Sequence, residues 1–63
     1  MQTDAQTGSE SARMAIFAAL VALQDRRVPV AASRLRAAEL FVVPLELVQS
    51  IEAEGLEKEW PLL

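Results

Sequence analysis

The chain has 63 residues, of which 52% are hydrophobic, and it contains neither cysteine nor histidine. This length allows one small domain, and the composition excludes disulfide bonds, cysteine chemistry and the commonest zinc sites as sources of its stability. The net charge of −3 is unevenly placed, since residues 1–42 carry +1 and residues 43–63 carry −4, and an acidic final third disfavours contact with nucleic-acid phosphates.

The first part of the chain is predicted to be a lead-in followed by one long helix. Residues 1–8 are mostly polar, and we expect them to be disordered. From Ser9 to Asp25 there are five alanines and no proline or glycine, which predicts a helix. The preceding Thr7-Gly8-Ser9-Glu10 fits the capping-box pattern, with Ser9 as an alternative N-cap. Its large apolar side chains share one broad side: Met14, Ile16, Phe17, Leu20, Val21 and Leu23. The opposite side carries alanines, which are either exposed helix formers or a surface for dimerisation or docking.

Two prolines divide the remainder into two shorter helices. Pro29 and Pro44 each disfavour helical geometry in the residue before them and fit the start of a helix. The second helix is predicted to run to about Phe41. Its apolar positions follow steps of three and four residues, and we expect them to face the core: Ala31, Leu35, Ala38 and Val42.

The third helix is predicted from Pro44 to Glu54, with Gly55 as its terminator. Leu47, Val48 and Ile51 should face inward on it. The domain would therefore cover residues 9–55, and residues 56–63 would form an extended tail. The sequence as a whole predicts an all-α three-helix bundle with Leu20, Leu40, Val48 and Ile51 mostly buried.

The segment AAELFVVPLELVQSIE, residues 37–52, resembles the helix-turn-helix of bacterial transcription regulators. In that family a small residue lets the two helices cross closely, and Ala38 has that place. Further matches are the hydrophobic core positions, Phe41, Val43, Val48 and Ile51. The resemblance implies a DNA-binding regulator, dimeric through its first helix, and the candidate DNA contacts are Arg34, Arg36, Gln49 and Ser50.

The segment departs from the family pattern at two points. Val42 stands where the family usually has glycine in the left-handed conformation, and a β-branched residue fits positive φ poorly, so we expect a looser or differently built turn. The third helix also carries glutamates that would repel phosphates. Residues 27–56 are similar, in the order of their prolines, helices and glycine, to the small amino-terminal helical domain of bacterial translation initiation factor two, and this concerns architecture alone.

No catalytic, cofactor or metal site is expected. The serines have no histidine to activate them, and the glutamates of the last third are best explained as a solvated helix face. The longest apolar run, Met14 to Leu23, is about half the length needed to span a bilayer, and the chain opens without the basic start of a signal peptide. We therefore expect a cytoplasmic protein without a membrane span.

The preferred function is that of a non-catalytic protein–protein interaction module, an accessory subunit of a larger assembly. The expected partner is another protein chain, either a second copy of this one or a member of a larger complex. Trp60, followed by Pro61, either packs over the helices or inserts into a partner. The candidate partner-binding residues are Phe17, Val21, Trp60, Leu62 and Leu63. A cluster of arginines is either a docking patch or a neutraliser of the chain's own glutamates: Arg26, Arg27, Arg34 and Arg36. The alternative function is the DNA-binding regulator.

Overall fold

The computed structural model describes residues 9–61, and over this range the chain is all-α. It forms the helices α1 (Glu10–Asp25), α2 (Val30–Phe41) and α3 (Leu45–Lys58). Each helix packs against both of the others. The predicted three-helix bundle is therefore confirmed. The predicted lead-in, residues 1–8, and the residues 62–63 lie outside the described part of the chain.

Helix α1 begins after the alternative N-cap, Ser9, and faces inward as its sequence predicts, while Thr7 lies outside the described residues. The Ser9 hydroxyl accepts a hydrogen bond from the Ala12 N–H at 3.1 Å, so Ser9 is the N-cap. Ile16, Phe17 and Leu20 are buried. On the alanine side, Ala15 and Ala22 are exposed and Ala12 and Ala19 are partly buried.

The core is built from the inward faces of the helices and from one residue beyond α3. It contains Ile16, Phe17, Leu20, Ala37, Val48, Ile51 and Trp60. Burial of Leu20, Val48 and Ile51 is confirmed. The prediction for Leu40 is wrong, because its side chain is 60% exposed. Leu40 lies near the end of α2, beyond the small inward-facing residues that hold this helix against the core.

Helix α2 presents to the core a face that the apolar spacing does not predict. Its buried residues are Ser33 and Ala37. The Ser33 hydroxyl donates to the Val30 carbonyl at 2.7 Å and accepts from Gln24 Nε2 at 3.1 Å, so this polar group is buried without losing its hydrogen bonds. Of the four positions predicted to face inward, Ala38 packs against the core. Ala31, Leu35 and Val42 are exposed, so the prediction is wrong for these three.

Left-handed residues follow each helix of the described region. Arg27, Val42 and Glu59 have φ values of 68°, 54° and 54°. A left-handed residue is a common helix terminator, but it is usually glycine, because L side chains raise the energy of this conformation. The expectation that Val42 avoids positive φ is therefore wrong.

The residue after each left-handed position closes the helix end. The N–H groups of Val28, Val43 and Trp60 donate to the carbonyls five residues earlier, at 3.2, 3.0 and 3.0 Å. Such bonds satisfy carbonyls that the end of a helix leaves open. A proline then follows in each case, and Pro29 and Pro44 are the N-caps of α2 and α3. We call each such three-residue unit, 27–29, 42–44 and 59–61, a helix joint.

Gly55 does not end α3, which continues to Lys58. Gly55 is buried inside this helix, under the ring of Phe17. A methyl carbon on Gly55 would lie 2.5 Å from Phe17 Cε1, so the absence of a side chain is what allows this contact. The predicted extended tail is correspondingly wrong for its first residues, because 56–58 are helical and Trp60 is buried in the core.

Polar contacts tie the helices to one another around the core. Arg13 of α1 holds Glu54 of α3 through two hydrogen bonds of 2.9 and 3.2 Å. The Arg13 bond, with a second from Lys58, lowers the pKa of the Glu54 carboxyl below its usual value of 4.5. The same carboxyl raises the pKa of the Lys58 ammonium. Between α2 and α3, Arg34 Nε donates to Glu52 Oε1 at 2.8 Å.

Candidate protein-interaction surface

The outward side of α2 and the residue that follows it carry an apolar line that the described chain leaves mostly exposed, with Ala38 partly buried against the core. We call it the outer stripe: Ala31, Leu35, Ala38 and Val42. Leu35 is 53% exposed and Val42 88% exposed. The four residues of the outer stripe are spaced by four, three and four positions, which is the spacing of the seam residues in a coiled coil. An apolar face of this kind is typical of a helix that packs against another helix.

The outer stripe runs into a shallow groove between the end of α2 and the start of α3. The groove has a volume of about 620 Å³. Its lining residues are Leu35, Ala38, Glu39, Val42, Val43, Pro44 and Leu45. Glu39 supplies the charged side chain of this lining, so the groove is suited to apolar side chains of a partner more than to a polar small molecule.

Val42 is the most unusual residue of this surface. Its backbone lies at φ 54° and ψ 53°, in the left-handed region, while its branched side chain is 88% exposed. Such a conformation costs an L residue about 1–2 kcal/mol. Neither backbone preference nor burial within the chain favours valine at this position. Its left-handed backbone ends α2 in the same way as Arg27 and Glu59 end the other two helices, but Val42 is the apolar member of this set.

The partner-binding candidates from the sequence lie elsewhere. Phe17 and Trp60 are only 4% and 8% exposed, and their rings meet edge to face with centroids 5.8 Å apart. The Trp60 indole Nε1 also donates to Glu10 Oε2 at 3.3 Å. Val21 is partly buried against the core. The structure therefore shows Trp60 packed over the helices, which leaves it and Phe17 little surface for a partner. Leu62 and Leu63 fall outside the described residues.

The candidate DNA contacts are only partly brought together. Arg34 and Gln49 line one small groove of about 420 Å³, but Glu52 lies in it too and holds the Arg34 guanidinium. Ser50 is exposed on α3, and Arg36 is exposed on α2. The ion pair with Glu52 supports the interpretation of Arg34 as a neutraliser of the chain's own acids.

The apolar spacing of α2 picks out the residues of the outer stripe, but Ala31, Leu35 and Val42 lie on the exposed side of the helix and not in the core. The pattern available in the sequence was an excess of apolar positions. Helix α2 has Ala37, Leu40 and Phe41 in addition to the stripe, which is more than one inward face can hold. A second apolar face on a short helix was therefore detectable, although the sequence does not say which face is buried.

Neither a membrane span nor a metal site emerges from residues 9–61. No helix in this range is long and apolar enough to cross a bilayer, and these residues bring together no group of three or more acidic, histidine or cysteine side chains that could hold a metal ion. Comparison of the chain with protein-family models, curated proteins and solved structures finds no match. The case for a function therefore depends on the surface itself.

Proposed function

We propose that this protein is a non-catalytic protein–protein interaction module of the cytoplasm, an accessory subunit that docks a helix of another chain on its outer stripe. The observation that carries the proposal is the exposed apolar stripe of α2, which ends in the strained Val42. The stripe and its groove offer apolar side chains at helical spacing, which is the way amphipathic helices recognise one another.

The energetics favour a partner on this face. Complete burial of a leucine or valine side chain contributes about 1.5–3 kcal/mol, and Leu35 and Val42 have half or more of their surface still to bury. Part of that gain is lost to the entropy of association. A small core also gains stability from any partner that binds only the folded chain, so subunit assembly and folding support each other.

The test compares two substitutions of the same type. Leu35→Glu places a charge in the outer stripe, whereas Leu56→Glu places one on an exposed leucine of α3 outside it. Both variants should fold like the parent chain by circular dichroism. Quantitative recovery of associated chains from the native cell should fall for Leu35→Glu and stay unchanged for Leu56→Glu. Equal recovery by both variants contradicts a docking role for the stripe.

A second candidate function is DNA binding through α2 and α3. The left-handed Val42 favours it, because the helix-turn-helix turn has that conformation at this place, and Gln49 and Ser50 are exposed on α3. Against it stands exposed Glu46, in the first turn of α3. A DNA-binding protein should bind duplex DNA with an affinity that falls steeply with salt. Failure to shift a random duplex at low salt removes this candidate.

A further inference from the structure

We propose that the chain seated on the outer stripe is a second copy of this protein, paired in parallel about a two-fold axis. This inference rests on the proposed function and names its partner. The pairing would place α2 of each copy side by side, with each stripe residue next to its own counterpart. The remainder of each bundle would lie on the far side of its own α2, because the buried residues Ser33 and Ala37 face away from the stripe.

The residue types of the stripe fit such a seam. In coiled-coil terms, Leu35 takes an a position and Ala31 and Ala38 the d positions, and Val42, the left-handed residue just beyond α2, stands at the next a place. The alanines let the two helix backbones approach closely, while Leu35 and Val42 supply the apolar surface. Seated beside its counterpart, Val42 would bury the side chain that is 88% exposed in the single chain. That burial would offset part of the cost of a β-branched residue at this left-handed position.

The charges beside the stripe select the parallel arrangement. Arg34 lies on one flank and Glu39 on the other, at the g and e positions of the same pattern. In a parallel pair, Arg34 of each copy faces Glu39 of the other, so two opposite-charge contacts form. In an antiparallel pair, arginine faces arginine and glutamate faces glutamate. The Arg34 side chain is still 32% exposed while it holds Glu52, and it has donors left for this second contact.

The seam is short, and the dimer should accordingly be weak. From Ala31 to Val42 the stripe extends only about 16 Å along the helix. A contact of this length buries a surface area at the lower end of the range for specific protein–protein interfaces, and such contacts form reversibly. We expect a monomer–dimer equilibrium, in which the fraction of dimer measured by sedimentation rises with protein concentration.

The absence of cysteine from the chain allows a direct test of the arrangement. Ala31→Cys should form a disulfide-linked dimer under mild oxidation, because a parallel pair brings the two copies of residue 31 within disulfide reach. An antiparallel pair would separate them by roughly 16 Å. Ala22→Cys is the matched control, an exposed alanine on the alanine side of α1. It should form no disulfide-linked dimer under the same oxidation.

A charge reversal supplies a second measurement. Glu39→Arg should weaken the dimer about tenfold in sedimentation equilibrium, since it turns two opposite-charge contacts into like-charge ones. Glu57→Arg makes the same change at an exposed site of α3 and should leave the dimer constant unaltered. Cross-linking of Ala22→Cys but not of Ala31→Cys would overturn the arrangement.

The two proposals fail in distinguishable ways. The parent chain could stay monomeric at all concentrations while Leu35→Glu abolishes the binding of a different protein. That result contradicts the second-copy inference and leaves the proposed function standing. If the Leu35→Glu substitution weakens neither self-association nor the binding of another protein, both proposals are contradicted. A dimer that survives Leu35→Glu unchanged places self-association on another surface and refutes the inference.

Discussion

At the scale of single residues, this chain has a glycine and a valine in backbone conformations that usually belong to other residues. Its described glycine, Gly55, lies within a helix, whereas a β-branched residue, Val42, takes a left-handed position that usually belongs to glycine. Each exception has a local cause or consequence. Gly55 makes room for the Phe17 ring, and Val42 holds an apolar side chain out at the rim of the groove.

Gly55→Ala should lower the free energy of unfolding by about 1–3 kcal/mol, because the new methyl group overlaps the Phe17 ring. Helix propensity alone predicts the opposite sign, since alanine is favoured over glycine by about 1 kcal/mol within a helix. Urea denaturation measures the change. Ser50→Ala, at an exposed site of the same helix, is the control and should change stability little. A stabilised Gly55→Ala variant would show that the ring moves aside without cost.

Val42→Asn should have opposite effects on folding and on association. Asparagine tolerates the left-handed conformation, so the isolated domain should gain about 1 kcal/mol of stability. The same substitution removes the apolar side chain from the outer stripe and should weaken binding of a partner. Chemical denaturation and sedimentation on the same samples separate the two effects. Loss of stability in the Asn variant would mean that Val42 makes a packing contribution within the domain.

At the scale of helices, the sequence predicts the existence of the three helices and the two turns between them better than the buried face of α2 or the end of α3. Pro29 and Pro44 mark the joints correctly, because proline restricts the residue before it whatever the tertiary structure. The buried face of α2 was assigned wrongly, since both of its faces carry apolar residues and only packing decides between them. The end of α3 was also assigned wrongly, because the glycine serves a close contact instead of a turn.

The tie between α1 and α3 should make stability depend on acidic pH. The pKa of Glu54 is lowered in the folded chain, chiefly by its hydrogen bond to Arg13, so the charged carboxylate favours the folded state. That contribution is fully present above the unfolded value of 4.5 and is lost as pH falls through the lower folded pKa. Melting temperatures between about pH 6 and pH 3 should therefore fall less in Glu54→Gln than in the parent chain. Glu57→Gln, an exposed acid of α3, is the control. Identical acid profiles for the parent and Glu54→Gln would exclude this tie as a source of the dependence.

At the scale of the whole molecule, Trp60 closes the bundle. It is 8% exposed, meets Phe17 edge to face, and donates from its indole to Glu10 at the start of α1. The segment after α3 thus returns to the beginning of the first helix. The sequence left this choice open, because a tryptophan beside a proline suits a core and an interface equally well. The fold as a class was predictable from composition and helix spacing, whereas the position of Trp60 depends on how far α3 extends.

Trp60→Ala should destabilise the domain by about 3–5 kcal/mol, as expected for removal of a large buried aromatic side chain. Trp60→Phe keeps a ring but loses the indole hydrogen bond and should cost less. Leu56→Ala, at an exposed residue, should change little. Thermal and urea unfolding supply the measurements. Near-equal stability of Trp60→Ala and the parent chain would place Trp60 outside the core.

The helix joints have a consequence for the kinetics of recognition. Between α1 and α2, and between α2 and α3, the chain turns within a few residues, and each turn is fixed by a left-handed residue, a hydrogen bond to the preceding helix and a proline. Such connections leave no loop that must become ordered when a partner arrives. Little conformational entropy is then lost on docking, which is how a short contact surface can still bind. Association should accordingly proceed as the meeting of preformed surfaces, in one kinetic phase whose observed rate rises linearly with partner concentration.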